Sequence, residues 1–322
     1  MKIVSIIVTY NRLDLLKKSL QAVQEQSRKP DAIIVVNNGS TDATENWLST
    51  QPVITYTQEN NGGAGGFFTG IQKAYEHGAD WIWLMDDDSI PNVDALEKLQ
   101  NVLQHLGEQK DQVGFLSSKV IWKDGNLHEL NKTYRLTDKT KKAAFAFAEK
   151  AGLPLIQWGT FVSMLLSAKA VKEVGLPIKD FFIWCDDAEY AKRIIGHGLA
   201  GIAVDDSVVL HDTPTNHRSS VLKDPESVIW KYRYGLRNEL YTKRLHEGER
   251  KFWLSWTHRM FVMPFRILLN RKSARWPYIK LVWKTSLQAL SFHPTIERVE
   301  NYSQGYVSTN RTMVNEANAV NQ

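Results

Sequence analysis

Four short apolar runs, each followed by polar or glycine-rich residues, constrain the fold of this chain more than any other feature. The runs are IVSIIVTY at 3–10, AIIVV at 32–36, VITYT at 53–57 and DWIWLM at 80–85. Segments with the spacing of amphipathic helices follow, such as 13–26. This alternation of strand and helix predicts an α/β fold built on an open, mostly parallel, doubly wound sheet.

The residues that follow the four strands predict where a ligand would bind. Open α/β sheets bind ligands outside the carboxyl ends of their strands. The four ends read Thr9-Tyr10-Asn11-Arg12, Asn37-Asn38, Glu59-Asn60-Asn61-Gly62-Gly63 and Asp86-Asp87-Asp88. We therefore expect one site to which all four strand ends contribute.

The three adjacent aspartates are the first candidate for chemistry. Their carboxylates repel one another, and a cation relieves that repulsion. In an extended segment Asp86 and Asp88 point to one side and Asp87 to the other. Oxygen ligands of this kind suit Mg²⁺ or Mn²⁺. The alternative is a solvated acidic turn that ends the strand.

The glycine-rich stretch at 62–66 is the second candidate. It precedes a predicted helix at 67–78, and backbone N–H groups in such a loop can approach phosphates closely. No Gly-Lys-Ser/Thr follows, so it is not a Walker loop. A flexible turn is the alternative interpretation.

The second half of the chain has a mixed pattern. Residues 113–121, 160–167 and 199–210 resemble strands, 186–197 a helix, and 123–157 an irregular insertion. Asp186, Asp187 and Glu189 follow an aromatic run, where they either provide a catalytic base or simply favour a helix start. His211 follows the last strand, as a metal ligand or a structural histidine.

Charge is distributed unevenly. The net charge of +5 combines +11 over 213–293 with −6 over the rest of the 322 residues. The basic segment holds five of the eleven tryptophans, so the two parts are expected to have different partners. Cys185 is the single cysteine, which excludes an intrachain disulfide and a cysteine-based zinc site. No spanning apolar run and no signal-peptide pattern are visible, so a cytoplasmic location is expected.

The basic segment has the composition of a helix that lies on a membrane surface. Within 251–269 one helical stripe carries Phe252, Trp253, Trp256, Met260, Met263 and Ile267. Interleaved aromatic and basic residues favour an anionic membrane interface. A helical lid or an interface between copies of the chain is the alternative, and 230–241 either meets an acceptor or packs on the core. Binding of nucleic acid is disfavoured by the acidic triad.

These residues, in this order, resemble glycosyltransferase family 2, whose members are inverting enzymes with the GT-A fold. The matching stretches are SIIVTYNR at 5–12, VNNGSTD at 36–42, NNGGAGGF at 60–67, DDD at 86–88, DDAE at 186–189 and His211. The glycine, triple-aspartate and DDAE stretches look like the galactofuranosyltransferase and rhamnosyltransferase branch. Many members carry an aspartate pair where this chain has Asn37 and Asn38.

The resemblance implies a role for each matched residue. Asp187 would be the catalytic base, supported by Asp186 and Glu189, one of which could also meet the acceptor. Asp88 and His211 would bind Mn²⁺ or Mg²⁺. The nucleotide-sugar would lie near Thr9, Arg12, Asn38, Asn60, Gly62, Gly63, Gly65, Gly66, Asp86 and Asp87, together with Asp42 unless that residue only starts a helix. Asp86 would face either the ribose or the metal. Trp158 and Trp184 would stack on acceptor sugars or, alternatively, serve packing.

The expected function follows from these roles. It is transfer of galactofuranose from UDP-galactofuranose to a glycan or polyprenyl-diphosphate-linked acceptor in bacterial cell-surface polysaccharide synthesis, at the inner face of the plasma membrane. A dTDP-rhamnose-dependent enzyme is the alternative, and a sugar- or nucleic-acid-binding scaffold is the non-enzymatic one. The expected parts are a GT-A catalytic domain at 1–212, a helical extension at 213–300 and a disordered tail at 301–322. The polymerising members carry extra domains that this length leaves no room for, so addition of one residue is expected.

Overall fold

Eight strands form one mixed sheet in the computed structural model of the protein, which describes residues 1–299. Their order across the sheet is β3-β2-β1-β4-β7-β6-β8-β5. The bounds are Ile3–Thr9 (β1), Ala32–Asn37 (β2), Ile54–Thr57 (β3), Trp81–Asp86 (β4), Ser89–Pro91 (β5), Val113–Ile121 (β6), Met164–Ser167 (β7) and Ala200–His211 (β8). The predicted α/β fold with a mixed, doubly wound sheet is confirmed.

Strands β1 to β4 form the parallel half that the sequence predicts. The registers pair Thr9 with Asn37 and Val8 with Asp86, so neighbouring strands end at the same level. Strand β1 is buried along its whole length, which explains its continuous apolar run. This alignment brings the polar strand ends to one edge of the sheet.

The other half of the sheet carries the antiparallel pairings. Strand β7 is antiparallel to both β4 and β6, whereas β6 and β8 are parallel. The short strand β5 pairs antiparallel with the end of β8, and Ser89 lies opposite His211. The amide of Asp212 also donates to the carbonyl of Asp88, at 2.8 Å. The acidic triad and His211 are therefore neighbours because of this pairing.

Twelve α-helices surround the sheet within residues 1–299. They are Leu13–Gln24 (α1), Thr44–Leu48 (α2), Gly62–Glu76 (α3), Ala95–Leu106 (α4), Lys139–Ala144 (α5), Ala146–Lys150 (α6), Ala168–Val174 (α7), Asp186–Gly196 (α8), Ile229–Glu247 (α9), Glu249–Thr257 (α10), Met263–Asn270 (α11) and Arg275–Ser291 (α12). A single π-helical turn, His258–Val262, joins α10 to α11.

One local prediction is wrong. The glycine stretch at 62–66 is not a loop, because α3 already begins at Gly62. Asp42 accepts from the amide of Thr44 at 3.0 Å, just before α2 begins.

The C-terminal helices pack on one another, and α9 packs onto the preceding part of the chain, through small apolar clusters. Ala64 of α3 shares a cluster with Phe181 and with Tyr241 of α9. Helices α9, α11 and α12 share another that includes Ile267 and Tyr278. None of the helices in residues 1–299 combines the length and apolar composition of a membrane-spanning segment. The predicted tail at 301–322, and the last residue of the predicted 213–300 extension, lie outside the described residues.

The predicted apolar stripe of 251–269 faces mainly inward. Phe252 and Ile267 are fully buried, and Trp256, Met260 and Met263 are half-buried. Trp253 alone among the six is exposed, at 44%. The helix therefore packs on the protein through this stripe, and its opposite face is open.

Candidate active site

A cavity of about 610 Å³ opens at the carboxyl ends of the parallel strands. Strand-end residues and the start of α8 both line it. Helix α9 closes a side. The site residues that line it are Arg12, Gly63, Asp86, Asp88, Trp158, Trp184, Asp186, Asp187 and His211.

Asp87 points away from its two neighbours, toward the start of α1. Its carboxylate accepts from Thr9 Oγ1 at 2.9 Å and from Arg12 Nη1 at 3.2 Å. The same Arg12 nitrogen donates to Asp88 Oδ2 at 2.9 Å. Thr9 and Asp87 thus lie behind the cavity wall and fix Arg12 against the triad.

Asp86, Asp88 and His211 come together on the cavity side. One ligand atom from each lies within 4.8 Å of the other two. Asp88 Oδ1 is 3.1 Å from His211 Nε2 and has no hydrogen-bond partner within the described residues, although it is buried. Two carboxylates and an imidazole are donors suited to a divalent cation.

Asn131 determines which imidazole nitrogen of His211 faces the carboxylates. Asn131 Oδ1 lies 2.8 Å from His211 Nδ1, and Asn131 Nδ2 donates to Thr160 Oγ1 at 2.9 Å. With the proton on Nδ1, a neutral His211 presents the lone pair of Nε2 to Asp88 Oδ1. Two acceptors at this distance repel each other unless a cation or a proton lies between them. The residues present therefore fit a metal ion.

Burial and mutual repulsion perturb the triad in different directions. Burial, then the charges of Asp88 and Asp87, raise the pKa of Asp86 well above its usual value. Burial likewise raises the pKa of Asp87 to about 6. Burial opposes ionisation of Asp88 too, but its contact with His211 and the charge of Arg12 lower its pKa overall. The triad thus holds negative charge on Asp88, where a cation would be attracted.

Asp186 and Asp187 stand at the start of α8 and line the same cavity. Burial raises the pKa of Asp186 to about 6. Burial, followed by the charge of Asp186, raises the pKa of Asp187 to about 8. Carboxylates with such pKa values in a cavity are suited to general base chemistry near neutral pH.

Glu189 does not line the cavity. Its fully buried carboxylate accepts from Arg193 Nε at 3.0 Å and Nη2 at 2.7 Å, and it lies 3.1 Å from His246 Nε2. Arg193 also donates to the carbonyls of Val174 and Leu176. Glu189 thus lies on the side of α8 that packs inside the protein, and its carboxylate does not reach the cavity.

The segment before α8 has an unusual backbone, held by one side chain. Phe182, Trp184 and Cys185 all have positive φ angles, of 62°, 67° and 71°. Asn238 of α9 is fully buried, and its Nδ2 lies within 3.1 Å of the carbonyls of Phe181, Ile183 and Trp184. Each non-glycine residue with positive φ costs roughly 1–3 kcal/mol unless its surroundings impose it. Asn238 supplies that constraint immediately before Asp186.

The four glycines named in the site serve different purposes. A Cβ on Gly62 would lie 2.0 Å from the carbonyl oxygen of Phe182, and one on Gly66 would lie 2.3 Å from Val8 Cγ1. A Cβ on Gly65 would meet Asn61 at 2.5 Å. At Gly63 it would meet no atom within 4 Å among residues 1–299, and Gly63 lines the cavity. Close packing therefore explains three glycines, and ligand access fits the fourth.

Asn38 and Asn60 shape the turn before α3. Asn38 Nδ2 donates to the carbonyl of Gly62 at 2.8 Å, and Asn60 Oδ1 accepts from the amide of Gly62 at 2.9 Å. Asp42, the other residue with two interpretations, makes the helix-start contact described above. Neither asparagine lines the cavity, so they act on its shape.

The two tryptophans both combine packing with a place on the cavity wall. Trp158 stacks on Tyr134, with ring centroids 5.8 Å apart. Trp184 packs edge-on against Tyr232 at 5.0 Å and lies over Gly235, where a Cβ would meet its ring at 2.5 Å.

Helix α9 contributes cavity residues that the sequence did not single out. Lys231, Gly235 and Glu239 line the cavity and are spaced four residues apart, on one helical face. Burial, then Arg12, lower the pKa of Lys231, while Asp88 and Asp86 oppose that shift. Lys231 thus lies close enough to Asp86 and Asp88 for their charges to act on it. The spacing within 230–241 was the available signal; no comparable signal marks Asn131 or Asn238.

Solved structures with the same architecture include two glycosyltransferases. GalNAc-T7, crystallised with UDP, GalNAc and Mn²⁺, has a TM-score of 0.58 at 12% identity over 97% of this chain and 57% of its own. TarS 1–349 of S. aureus, in complex with UDP-GlcNAc, has a TM-score of 0.55 at 13% identity over 90% and 81%. These likenesses concern the fold alone. The chain therefore has a GT-A-like fold with C-terminal helices.

Comparison with known sequences identifies the protein family. The profile described as glycosyl transferase family 2 matches residues 5–154. The galactofuranosyltransferase GlfT1 of Mycolicibacterium smegmatis is 31% identical over 61% of this chain and 66% of its own length. GlfT1 of Mycobacterium tuberculosis is 30% identical over 68% and 72%. The chain, which spans about two thirds of these relatives, belongs to glycosyltransferase family 2 and is a glycosyltransferase.

Proposed function

We propose that the protein is an inverting, divalent-metal-dependent galactofuranosyltransferase that uses UDP-galactofuranose. The observation that carries the proposal is that one cavity holds both groups of residues. Asp86, Asp88 and His211 line it, and so does Asp187. The names of the GlfT1 relatives support galactofuranose as the transferred sugar.

Different residues of the cavity act on the acceptor and on the leaving nucleotide. Asp187 accepts the proton of the acceptor hydroxyl as that oxygen bonds to the anomeric carbon, and the bond from this carbon to the diphosphate breaks. The nucleotide leaves with the electron pair. Lys231, beside the triad, offers positive charge to the diphosphate. When bound by Asp86, Asp88 and His211, a divalent ion neutralises charge on the leaving group.

The acceptor that we propose is a glycan, in particular one linked to a polyprenyl diphosphate at the inner face of the plasma membrane. Trp158 and Trp184 present aromatic surface near the base, and sugar C–H faces pack on such surfaces. Glu239 adds a carboxylate that can accept from acceptor hydroxyls. This acceptor fits a role in the synthesis of bacterial cell-surface polysaccharide.

A donor panel tests the sugar and the nucleotide together. UDP-galactofuranose, UDP-galactopyranose, dTDP-rhamnose and UDP-GlcNAc are each offered with Mn²⁺, Mg²⁺ or excess chelator. Release of the nucleoside diphosphate and thermal stabilisation of the protein are measured. We expect turnover of UDP-galactofuranose with metal and none with chelator. Preferential turnover of dTDP-rhamnose would identify a rhamnosyltransferase instead, and binding without turnover of any donor would favour a scaffold.

The base is tested by Asp187→Asn. We expect donor binding within about twofold of the unaltered protein, and a loss of transfer of about 10²–10⁴-fold, the usual contribution of a general base. Asp180→Asn, an exposed carboxylate seven residues upstream, is the matched control and should transfer normally. Near-normal turnover by Asp187→Asn would remove the assignment.

A further inference from the structure

The outer face of α10, of the π-helical turn that follows it and of α11 is apolar. It carries Leu254, Phe261, Val262, Phe265, Leu268 and Leu269, which are 46–82% exposed. We call this set the apolar ridge. Residues on the opposite side of the same helices, such as Phe252 and Ile267, are fully buried. The helices are therefore apolar on both faces, and packing within the protein explains only the inner one.

The ridge lies within a stretch of one charge sign. From 250 to 296 the sequence contains nine Lys or Arg and neither Asp nor Glu. Two of the nine, Arg259 and Arg271, are buried, where they donate to backbone carbonyls. The other seven are exposed: Arg250, Lys251, Arg266, Lys272, Arg275, Lys280 and Lys284. Exposed apolar residues accompanied by unopposed cations are complementary to an anionic lipid surface.

The ridge is close to the cavity through the packing of the helices. Ile267, on the inner side of α11, belongs to the same apolar cluster as Tyr232 and Leu236 of α9. Those two residues also line the cavity. Packed helices are about 8–10 Å apart. A surface that touched the ridge would therefore lie one helix layer from the cavity wall formed by Tyr232 and Leu236.

We propose that the apolar ridge inserts into the headgroup region of an anionic phospholipid membrane and that the surrounding cations hold it there. Resting on the proposed function, this docking would present the cavity to an acceptor anchored in the same membrane. The ridge is distinct from the stripe that the sequence predicts, because most of that stripe is used in packing. The inserted residues are those of the outer face.

Vesicle flotation with the full chain tests the proposal. Vesicles of phosphatidylglycerol and phosphatidylethanolamine are compared with vesicles of phosphatidylcholine. We expect binding to the anionic vesicles and at least tenfold weaker binding to the neutral ones. The triple variant Phe261→Ser, Phe265→Ser, Leu269→Ser should bind anionic vesicles at least tenfold more weakly. The control Val93→Ser, Leu127→Ser replaces exposed apolar residues outside the ridge and should bind within twofold of the unaltered chain.

The charges are tested separately. Arg266→Gln together with Lys272→Gln should weaken anionic binding about 25-fold, since each cation near such a surface contributes about fivefold. Equal binding by the ridge variant and the control would overturn the proposal. So would a finding that the ridge variant only converts a dimer of the unaltered chain to a monomer, because the ridge would then be an interface between copies.

Donor turnover without vesicles separates this proposal from the proposed function. The ridge variant should hydrolyse or transfer the donor to a soluble acceptor at the normal rate, which also shows that it folds. Turnover by the unaltered chain without flotation of that chain would overturn the docking and leave the enzyme assignment intact. Flotation without turnover of any donor would overturn the enzyme assignment and leave the docking intact.

Discussion

At the scale of single residues, the contact between Asp88 and His211 is the most informative. With the proton of a neutral His211 on Nδ1, beside Asn131 Oδ1, two acceptor atoms face each other at 3.1 Å. The same carboxylate accepts from Arg12 through its second oxygen, so it cannot turn away without losing that bond. The orientation of His211 is therefore determined by a residue that itself provides no ligand.

Asn131→Ala should weaken metal binding without removing a ligand. Loss of such an outer contact typically costs 10–100-fold in metal affinity. We expect the Mn²⁺ concentration for half-maximal activity to rise by that factor, with most of the maximal rate recovered at saturating Mn²⁺. Metal titration of activity measures it, and Asn46→Ala on the exposed side of α2 is the control. An unchanged half-maximal concentration would show that His211 is oriented without Asn131.

The pair Asp186 and Asp187 predicts an acid limb in the pH profile. Asp187 accepts a proton only when ionised, and its pKa is raised to about 8 by burial and by the charge of Asp186. The value of kcat/KM, which reports the unliganded enzyme, should therefore rise with pH up to about 8 and then level. Asp186→Asn removes the neighbouring charge, so it should move the limb to lower pH. A limb unmoved by Asp186→Asn would contradict the coupling.

The convergence of Asp86, Asp88 and the end of β8 could be predicted, because strand ends of one sheet edge meet. The alternation expected for an extended segment does not apply to Asp87 and Asp88, because both lie in a turn after β4. Asn131 could not be predicted, since it lies in the irregular insertion at 123–157. No periodic pattern there indicates which residue reaches His211.

At the scale of elements, the strained segment before α8 depends on α9. Three residues with positive φ precede the two aspartates, and the amide of Asn238 bonds to three of the segment's carbonyls. Arg237 orients that amide by donating to Asn238 Oδ1 at 2.9 Å and 3.1 Å. The position of Asp187 is thus controlled from the helical extension.

Asn238→Ala should lower kcat more than it changes donor binding. The loss removes the amide donor from the carbonyls of Ile183 and Trp184, at roughly 1–3 kcal/mol for each group left unpaired, and releases the segment that positions Asp187. We expect kcat to fall at least tenfold while the donor dissociation constant changes by less than threefold. Asn238→Asp has the same shape but cannot donate, so it should not restore kcat. Restoration by Asp, or an equal loss of donor binding, would show that Asn238 acts only through general stability.

The elements themselves were largely predictable, and their roles were less so. Strand β6 at 113–121 has the predicted bounds. The glycines of α3 were predicted to approach phosphates, yet Gly62 and Gly66 are required by Phe182 and Val8. Both partners are distant in sequence, so such close contacts leave no local pattern.

At the scale of the whole molecule, the charge boundary near 213 does not separate two independent structures. Helix α9 belongs to the basic segment, yet it lines the cavity with Lys231 and Glu239. It also shares apolar clusters with Phe181 and with Trp184 from the catalytic half. The basic segment therefore has two faces, one that completes the cavity and one that carries the apolar ridge.

We therefore expect that a chain ending at Asp212 does not turn over the donor. We also expect it to lack a cooperative unfolding transition. It would expose Ala64 and Phe181, which are buried in the present structure, and would lose Asn238 and Lys231. Calorimetry and donor turnover measure the two effects. A chain ending at Val299 keeps every contact described above and is the control. A fragment 1–212 that unfolds in one sharp transition and turns over the donor would show that the catalytic half is complete without α9, and that the cavity side formed by this helix is dispensable.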